Sequence, residues 1–332
     1  MQRGIPFGRV GLSLSLIAVV AVVAALSLVV SAGSRDTNGA GLDIGPFPED
    51  FVDINHVPRS TPPAPGPGAS TGTFTEDCGR NAQGRHRNAD NLVVSPGLKN
   101  GAHHTHDYVG NLSTTAFSTD ADLAAAETTC TSSNKSTYYW PVLRRQDRPT
   151  TPTPGVTDTH HGNIGEILPP KKVTVQFRGS PTTHVVPMPR FLRTMTGDPV
   201  AGTEGPAQAH AQWGCAGFPD RFTMHYPKCP DGKVTRTFDW PSCWNGLDTD
   251  SDDHRAHLVF PAANGLCPSG TFPVPQLRVV VSYDVPDDVP IAVDAFSEQQ
   301  HNPVTDHAGF VDVLTAGQMT KVVSCLNEGR HC

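Results

Sequence analysis

A proline or a glycine falls about every fifth residue of this chain, 31 of each in 332, and that density leaves no room for long helices. In a helix interior proline costs about 3 kcal/mol and glycine about 1 kcal/mol relative to alanine. Their combined share stays below the roughly 25–30% of a low-complexity chain, so a folded, turn-rich domain is expected. Charged residues make up 17% against about 25% in an average globular protein, which excludes a coiled coil or a solvating acidic tail. A net charge of −7 also argues against nucleic acid as a partner, because a binder needs a basic face.

Residues Val10 to Ala32 carry no charge, and Arg3 and Arg9 precede them. A basic start followed by an apolar core is a secretory signal. The run is also long enough to span a bilayer, so residues 1–32 read either as a cleaved signal peptide or as a retained signal anchor, a transmembrane helix over about 10–32. Both place the rest of the chain outside the cytoplasm, extracellular or at the cell membrane. The eight cysteines, Cys78, Cys130, Cys215, Cys229, Cys243, Cys267, Cys325 and Cys332, all follow this segment and form no C-x-x-C pair. Disulfides are therefore expected rather than zinc or redox chemistry. Proximity favours Cys325 with Cys332 and groups the four middle cysteines in one Trp-rich region.

Residues 33–73 are rich in Pro, Gly, Ser and Thr and read as a linker holding the domain off the envelope. The globular domain then occupies 74–332. Strand patterns dominate it: KVTVQF from Lys172, QLRVVVSY from Gln276, and short apolar stretches at Leu258–Phe260 and Ala292–Phe296. Helical periodicity is confined to Ser118–Thr129 and Ala316–Leu326. The expected fold is mainly β, a sandwich-like antiparallel core with a few peripheral helices, stapled by disulfides.

Three constellations carry candidate chemistry. In Gly101–Asn111, extended backbone would turn His104 and His106 to one face, where they could meet a metal or a substrate, with Asp107 placed to orient an imidazole or contact substrate. In Asp239–His257, Trp244 and Asn245 suggest a sugar-stacking platform, while Asp253, His254 and His257 crowd one turn. Asp248, Asp250 and Asp252 imitate a calcium loop, but Asp253 stands where glycine is required and Val259 where glutamate is, so an EF-hand is excluded. The third is His307 within Asp306–Asp312. There is no Gly-x-Ser-x-Gly elbow, HExxH, P-loop or dinucleotide fingerprint.

Taken in order, Asp90-Asn91-Leu92-Val93-Val94-Ser95-Pro96-Gly97, His104-x-His106, Ser242-Cys243-Trp244-Asn245-Gly246, Asp253-His254-x-x-His257 and His307 resemble a secreted domain family of unknown function. That family is found in fungi and actinobacteria, sometimes beside WSC-type wall-binding modules. The resemblance covers about residues 77–314. It implies that His104, His106, Asp253, His254, His257 and His307 share a polar, candidate catalytic site, without implying an activity. The favoured expectation is a cell-envelope protein that binds or processes extracellular polysaccharide, with a histidine as general base or as ligand of a water-activating divalent metal. The candidate metal ligands are His104, His106 and His257. Two alternatives stand beside it: a non-catalytic wall-binding or adhesion module using Trp244 and Asn245, and an extracellular metal-binding protein.

Overall fold

The two clearest alternating segments pair with each other. In the computed structural model, which describes residues 45–153, 162–286 and 289–332, KVTVQF and QLRVVVSY become antiparallel neighbours with Val175 opposite Val279. The apolar run within 1–32 and the first part of the expected linker, 33–44, lie outside the described residues. Among those described, no helix is long and apolar enough to cross a membrane.

Ten strands build the core: β1 (Thr73–Glu76), β2 (Arg87–Asn88), β3 (His106–Gly110), β4 (Thr137–Pro141), β5 (Lys172–Arg178), β6 (Arg193–Gly197), β7 (Trp213–Cys215), β8 (Lys233–Asp239), β9 (Gln276–Asp284) and β10 (His307–Val311). They form two five-stranded sheets, ordered β7-β8-β9-β5-β1 and β2-β3-β4-β10-β6. Every neighbouring pair in both is antiparallel. Val175, Phe177, Phe238 and Val279 of the first sheet meet Val109, Tyr138, Trp140 and Phe310 of the second in one core. Rings stack across it, Trp140 on Phe238 at 6.4 Å between centroids. Each such side chain contributes about 1.5–3 kcal/mol by leaving water. The mainly β, antiparallel, disulfide-stapled fold expected from the sequence is thus observed.

The first sheet alternates cleanly: on β9, Leu277, Val279, Val281 and Tyr283 are buried while the residues between them are partly open. The second sheet does not, because both of its faces are covered. Leu92, Val93 and Leu123 pack on Tyr108, Tyr139 and Val311, which face away from the first sheet. Burial therefore runs unbroken along β3, β4 and β10.

The helix at Ala316–Asn327 forms as the periodicity predicts, opened by a Thr315–Gln318 capping box and burying Met319, Val322, Cys325 and Leu326. The helix expected over Ser118–Thr129 is shorter, Asp120–Ala125. Beyond it, Thr128 bridges to Asn111, Thr129 bonds to Gly110, and Cys130 is held by Cys78. The remaining disulfides join Cys215 to Cys229, Cys243 to Cys267 and Cys325 to Cys332.

The linker expectation needs correcting from residue 45 onward. Phe51–Asp53 pairs in parallel with Tyr226–Lys228, and Ile54 and Val57 bury against Cys215. The proline-rich stretch that follows is pinned along the domain by Ser60 N–H to Asp220 O, Gly66 N–H to Pro181 O and Ser70 N–H to Ser180 O. Proline explains how so few bonds suffice: its fixed φ leaves little backbone entropy to lose, and an extended proline-rich chain needs no internal hydrogen bonds.

Asp312, at the end of β10, gives a pH test of this core. It is fully buried; one carboxylate oxygen accepts from Ser136 Oγ and Leu314 N–H, and the other has no hydrogen-bond partner among the described residues. Burial pushes its pKa up to about 7 from 3.8. A carboxyl raised in the folded state stabilises it below that pKa, and the contribution is lost as pH climbs from about 4 through 7. Three units correspond to on the order of 4 kcal/mol. Asp312→Asn should therefore raise the urea midpoint most at pH 9, less at pH 5 and hardly at all at pH 3; equal effects at pH 9 and pH 3 would count against the assignment.

Candidate metal centre

Strand register assembles the site. β4 lies between β3 and β10, with His106 opposite Pro141 on one side and Gly309 opposite Tyr139 on the other. Continuing the second register by two residues sets His307 beside Pro141 as well. Two imidazoles on the same face, separated by two strand spacings or about 10 Å of backbone, lean together over a proline. His104, two residues before His106, completes the group.

The three Nε2 atoms form a near-equilateral triangle: His104 to His106 3.2 Å, His104 to His307 3.3 Å and His106 to His307 3.4 Å. The side chains are 1%, 0% and 2% exposed. His106 Nδ1 lies 3.0 Å from Asp90 O and His307 Nδ1 2.9 Å from Thr305 O. A carbonyl only accepts, so each Nδ1 carries the proton and each Nε2 presents a lone pair to the centre. Burial pushes His106 down to about 4; burial, and then its neighbour His106, push His307 down to about 3. Both rings are therefore neutral at pH 7.

The surrounding residues fix these orientations. Asp90 supplies the carbonyl under His106, and Tyr108 Oη donates to the same oxygen at 2.8 Å. The Asp90 carboxylate takes Asn100 N–H at 2.7 Å and Ala116 N–H at 3.0 Å, which ties Asp90 to the segments on both sides of β3. Tyr139 lies edge-on to His106, 5.1 Å between centroids, and its hydroxyl donates to Asn91 Oδ1 at 2.6 Å. Room for that ring comes from Gly309, where a Cβ would stand 2.0 Å from Tyr139 Cζ. Phe296 packs edge-on against His104 at 5.4 Å. Beneath Pro141, buried Arg236 donates to its carbonyl at 2.7 Å and pairs with Asp306, the residue before His307.

Three nitrogens about 2.0–2.1 Å from one ion in a tetrahedral array lie about 3.3–3.4 Å apart, which is the triangle observed. Square or octahedral neighbours at those bond lengths would sit nearer about 3.0 Å. Among the described residues, these are the three whose ligand atoms converge tightly enough to hold an ion.

The other candidate residues lie elsewhere or are engaged in their own turns. His257 is buried, but its nitrogens meet Arg193 O and Ser251 Oγ, both at 2.8 Å; the third histidine of the cluster is His307. His254 pairs with Asp250 at 2.8 Å. Asp253 caps its turn, accepting from Arg255 N–H, Ala256 N–H and Ser251 Oγ, and these bonds hold its pKa down to about 2. Trp244 donates to Asp248 O, and Asn245 Oδ1 takes Leu247 N–H and Asp248 N–H. This turn is anchored by the Cys243–Cys267 bridge. Asp107 points to the opposite face of β3 from His106 and pairs with Arg87 at 2.6 Å. Tyr139, Arg236 and Phe296 were not legible as site residues, because nothing in their local sequence marks them; Asp90 and Asn91 were marked, as the start of the first motif.

No curated protein and no solved structure matches the chain. A family model does match, over residues 91–312, and so takes in all three clustered histidines and the turn that carries Trp244. On that match, which covers about two thirds of the sequence, the chain belongs to the family described as a domain of unknown function, DUF1996.

Proposed function

We propose that this is a metal-binding protein of the cell exterior, with His104, His106 and His307 holding one divalent ion, zinc in first place. The observation that carries the reading is the Nε2 triangle of 3.2–3.4 Å. Zinc suits three imidazoles in tetrahedral geometry, and so bound it keeps a fourth position for water or a substrate atom and lowers the pKa of that water. The protein's own part is orientation and exclusion. Asp90 O and Thr305 O fix the tautomers of two ligands, and the three rings are buried, with Phe296 packed edge-on against His104. Four disulfides and the basic, then apolar, amino terminus support an oxidising compartment.

Burial supports holding a metal over processing a wall polymer directly at these nitrogens, since a sugar chain needs an open cleft. The test is metal content. The full-length chain, stripped with chelator and dialysed against zinc, is expected to carry about one ion, and His307→Ala about none. Equal zinc in the two proteins, or well under one ion in the unaltered chain, would overturn the reading.

A further inference from the structure

The outward face of the first sheet, opposite in the sandwich to the face that bears the histidines, carries a groove of about 840 Å³. Its floor is made by the outward side chains of β5, β8 and β9, among them Arg178, Asp239 and Arg278. It is flanked by the pinned proline segment, Phe222 and residues 261–265. That volume falls in the range of small-ligand sites, about 300–1,000 Å³.

Charge on this floor does not balance. Arg278 engages Asp239 with two bonds, Nε to Oδ1 at 2.6 Å and Nη2 to Oδ2 at 2.5 Å. Gln212 donates to Oδ2 of the same carboxylate at 3.2 Å. Arg178 stands diagonally across from Arg278, since Arg178 pairs with Gln276 and Gln176 with Arg278 in the ladder. It reaches Asp239 at 3.9 Å, the outer limit of an ion pair. Two guanidiniums thus share one carboxylate that Arg278 already saturates. Both are partly withdrawn from water, 33% and 26% exposed, and partial desolvation strengthens attraction to an incoming anion. A guanidinium fork matches a planar carboxylate with two parallel bonds. Phe222 and the prolines add apolar surface on which the face of a sugar ring can rest. In a chain of net charge −7, this surplus cation is a local device rather than part of a general basic field.

We propose that this groove is a binding site for a carboxylate-bearing ligand, with Arg178 forming the fork to the carboxylate and Arg278, held by Asp239, bordering it. The same chemistry is offered by a free organic acid and by a uronic-acid residue of an acidic polysaccharide.

Isothermal titration of the full-length chain with trigalacturonate, citrate and neutral maltotriose tests this. Trigalacturonate or citrate should bind, maltotriose should not, and Arg178→Gln should weaken the acid at least tenfold without moving the melting temperature. Tighter binding of trigalacturonate than of citrate identifies the polymer as the source; the reverse identifies the free acid. If the glutamine variant does not fold, Arg178→Lys, which keeps the charge and loses the fork, must bind severalfold more weakly. Failure of both acids to bind, equal binding of maltotriose, or unchanged affinity in the folded Arg178 variants would overturn the proposal.

Discussion

Zinc added to the metal-stripped protein is expected to raise its melting temperature by roughly 5–10 °C, and single alanine replacements of His104, His106 or His307 should abolish the rise. Ligand at a hundred times its dissociation constant contributes about 2.7 kcal/mol, and a domain of this size gains about 2–4 °C per kcal/mol. His257→Ala is the control. Its nitrogens are bonded to Arg193 O and Ser251 Oγ, so the starting melting point can fall while the zinc-dependent increment stays. An increment that survives His307→Ala would place the ion elsewhere.

The same experiment has a pH signature. Exposed histidine sites lose metal as their imidazoles protonate near pH 6.5. With His106 pushed to about 4 and His307 to about 3, protons do not compete for these nitrogens until well below pH 6. The zinc-dependent increment should therefore persist at pH 5.5. The metal-free protein behaves differently. Groups whose folded pKa is depressed bind more protons when unfolded, so its stability drains away as pH falls from about 6.5 toward 4. Loss of the increment between pH 7 and 6 would contradict this.

Replacing Arg236 by methionine should cost about 3–5 kcal/mol, the usual effect of leaving one partner of a buried ion pair alone. Arg236 is fully buried, and Asp306 is 1% exposed. The guanidinium sits 5.2 Å from the ring centroids of both Trp213 and Phe238 and also reaches Tyr283 Oη at 3.2 Å. Removing it strands the Asp306 carboxylate between the sheets and frees the Pro141 carbonyl beneath the histidines. Adding Asp306→Asn to the same chain should recover part of the loss, because a neutral amide costs less to bury than a lone carboxylate. Urea unfolding measures both, and a single-variant loss under about 1 kcal/mol would show that the pair is not a keystone of the interior.

How far these features could be read in advance depended on what each residue contacts. KVTVQF and QLRVVVSY were legible as strands because one face of their sheet stays partly open, which preserves the alternation. TYYWP and HAGFV, in β4 and β10, carry no such signal, since both faces are buried. His104 and His106 were legible as a pair by their spacing on extended chain. The resemblance places His307 in the same site, but among the candidate ligands His257 stands third, because the choice between the two depends on which strand lies across Pro141, a matter of register far along the sequence. Asp253 and Asn245 look like functional side chains for the same reason they make good turns: short polar groups that can accept backbone N–H bonds. The proline-rich stretch read as a stalk because composition reports what a segment can bury by itself, and here the sheet edge and the Cys215 region supply the surface.

The disulfides and the histidines divide the labour of tying the chain together. The four bridges close short circuits, spanning 7, 14, 24 and 52 residues, so each steadies only its own neighbourhood. The histidine triangle joins positions 201 and 203 residues apart. An ion seated there would act as a reversible clasp across the longest loop that any of these fastenings closes, and loop-closure entropy grows with loop length. In an oxidising environment the local staples are permanent, whereas such a clasp would answer to metal supply. If these histidines hold zinc, its removal would leave every bridge intact while loosening the link between β3 and β10, a change that hydrogen exchange at the Tyr139 and Gly309 amides would register.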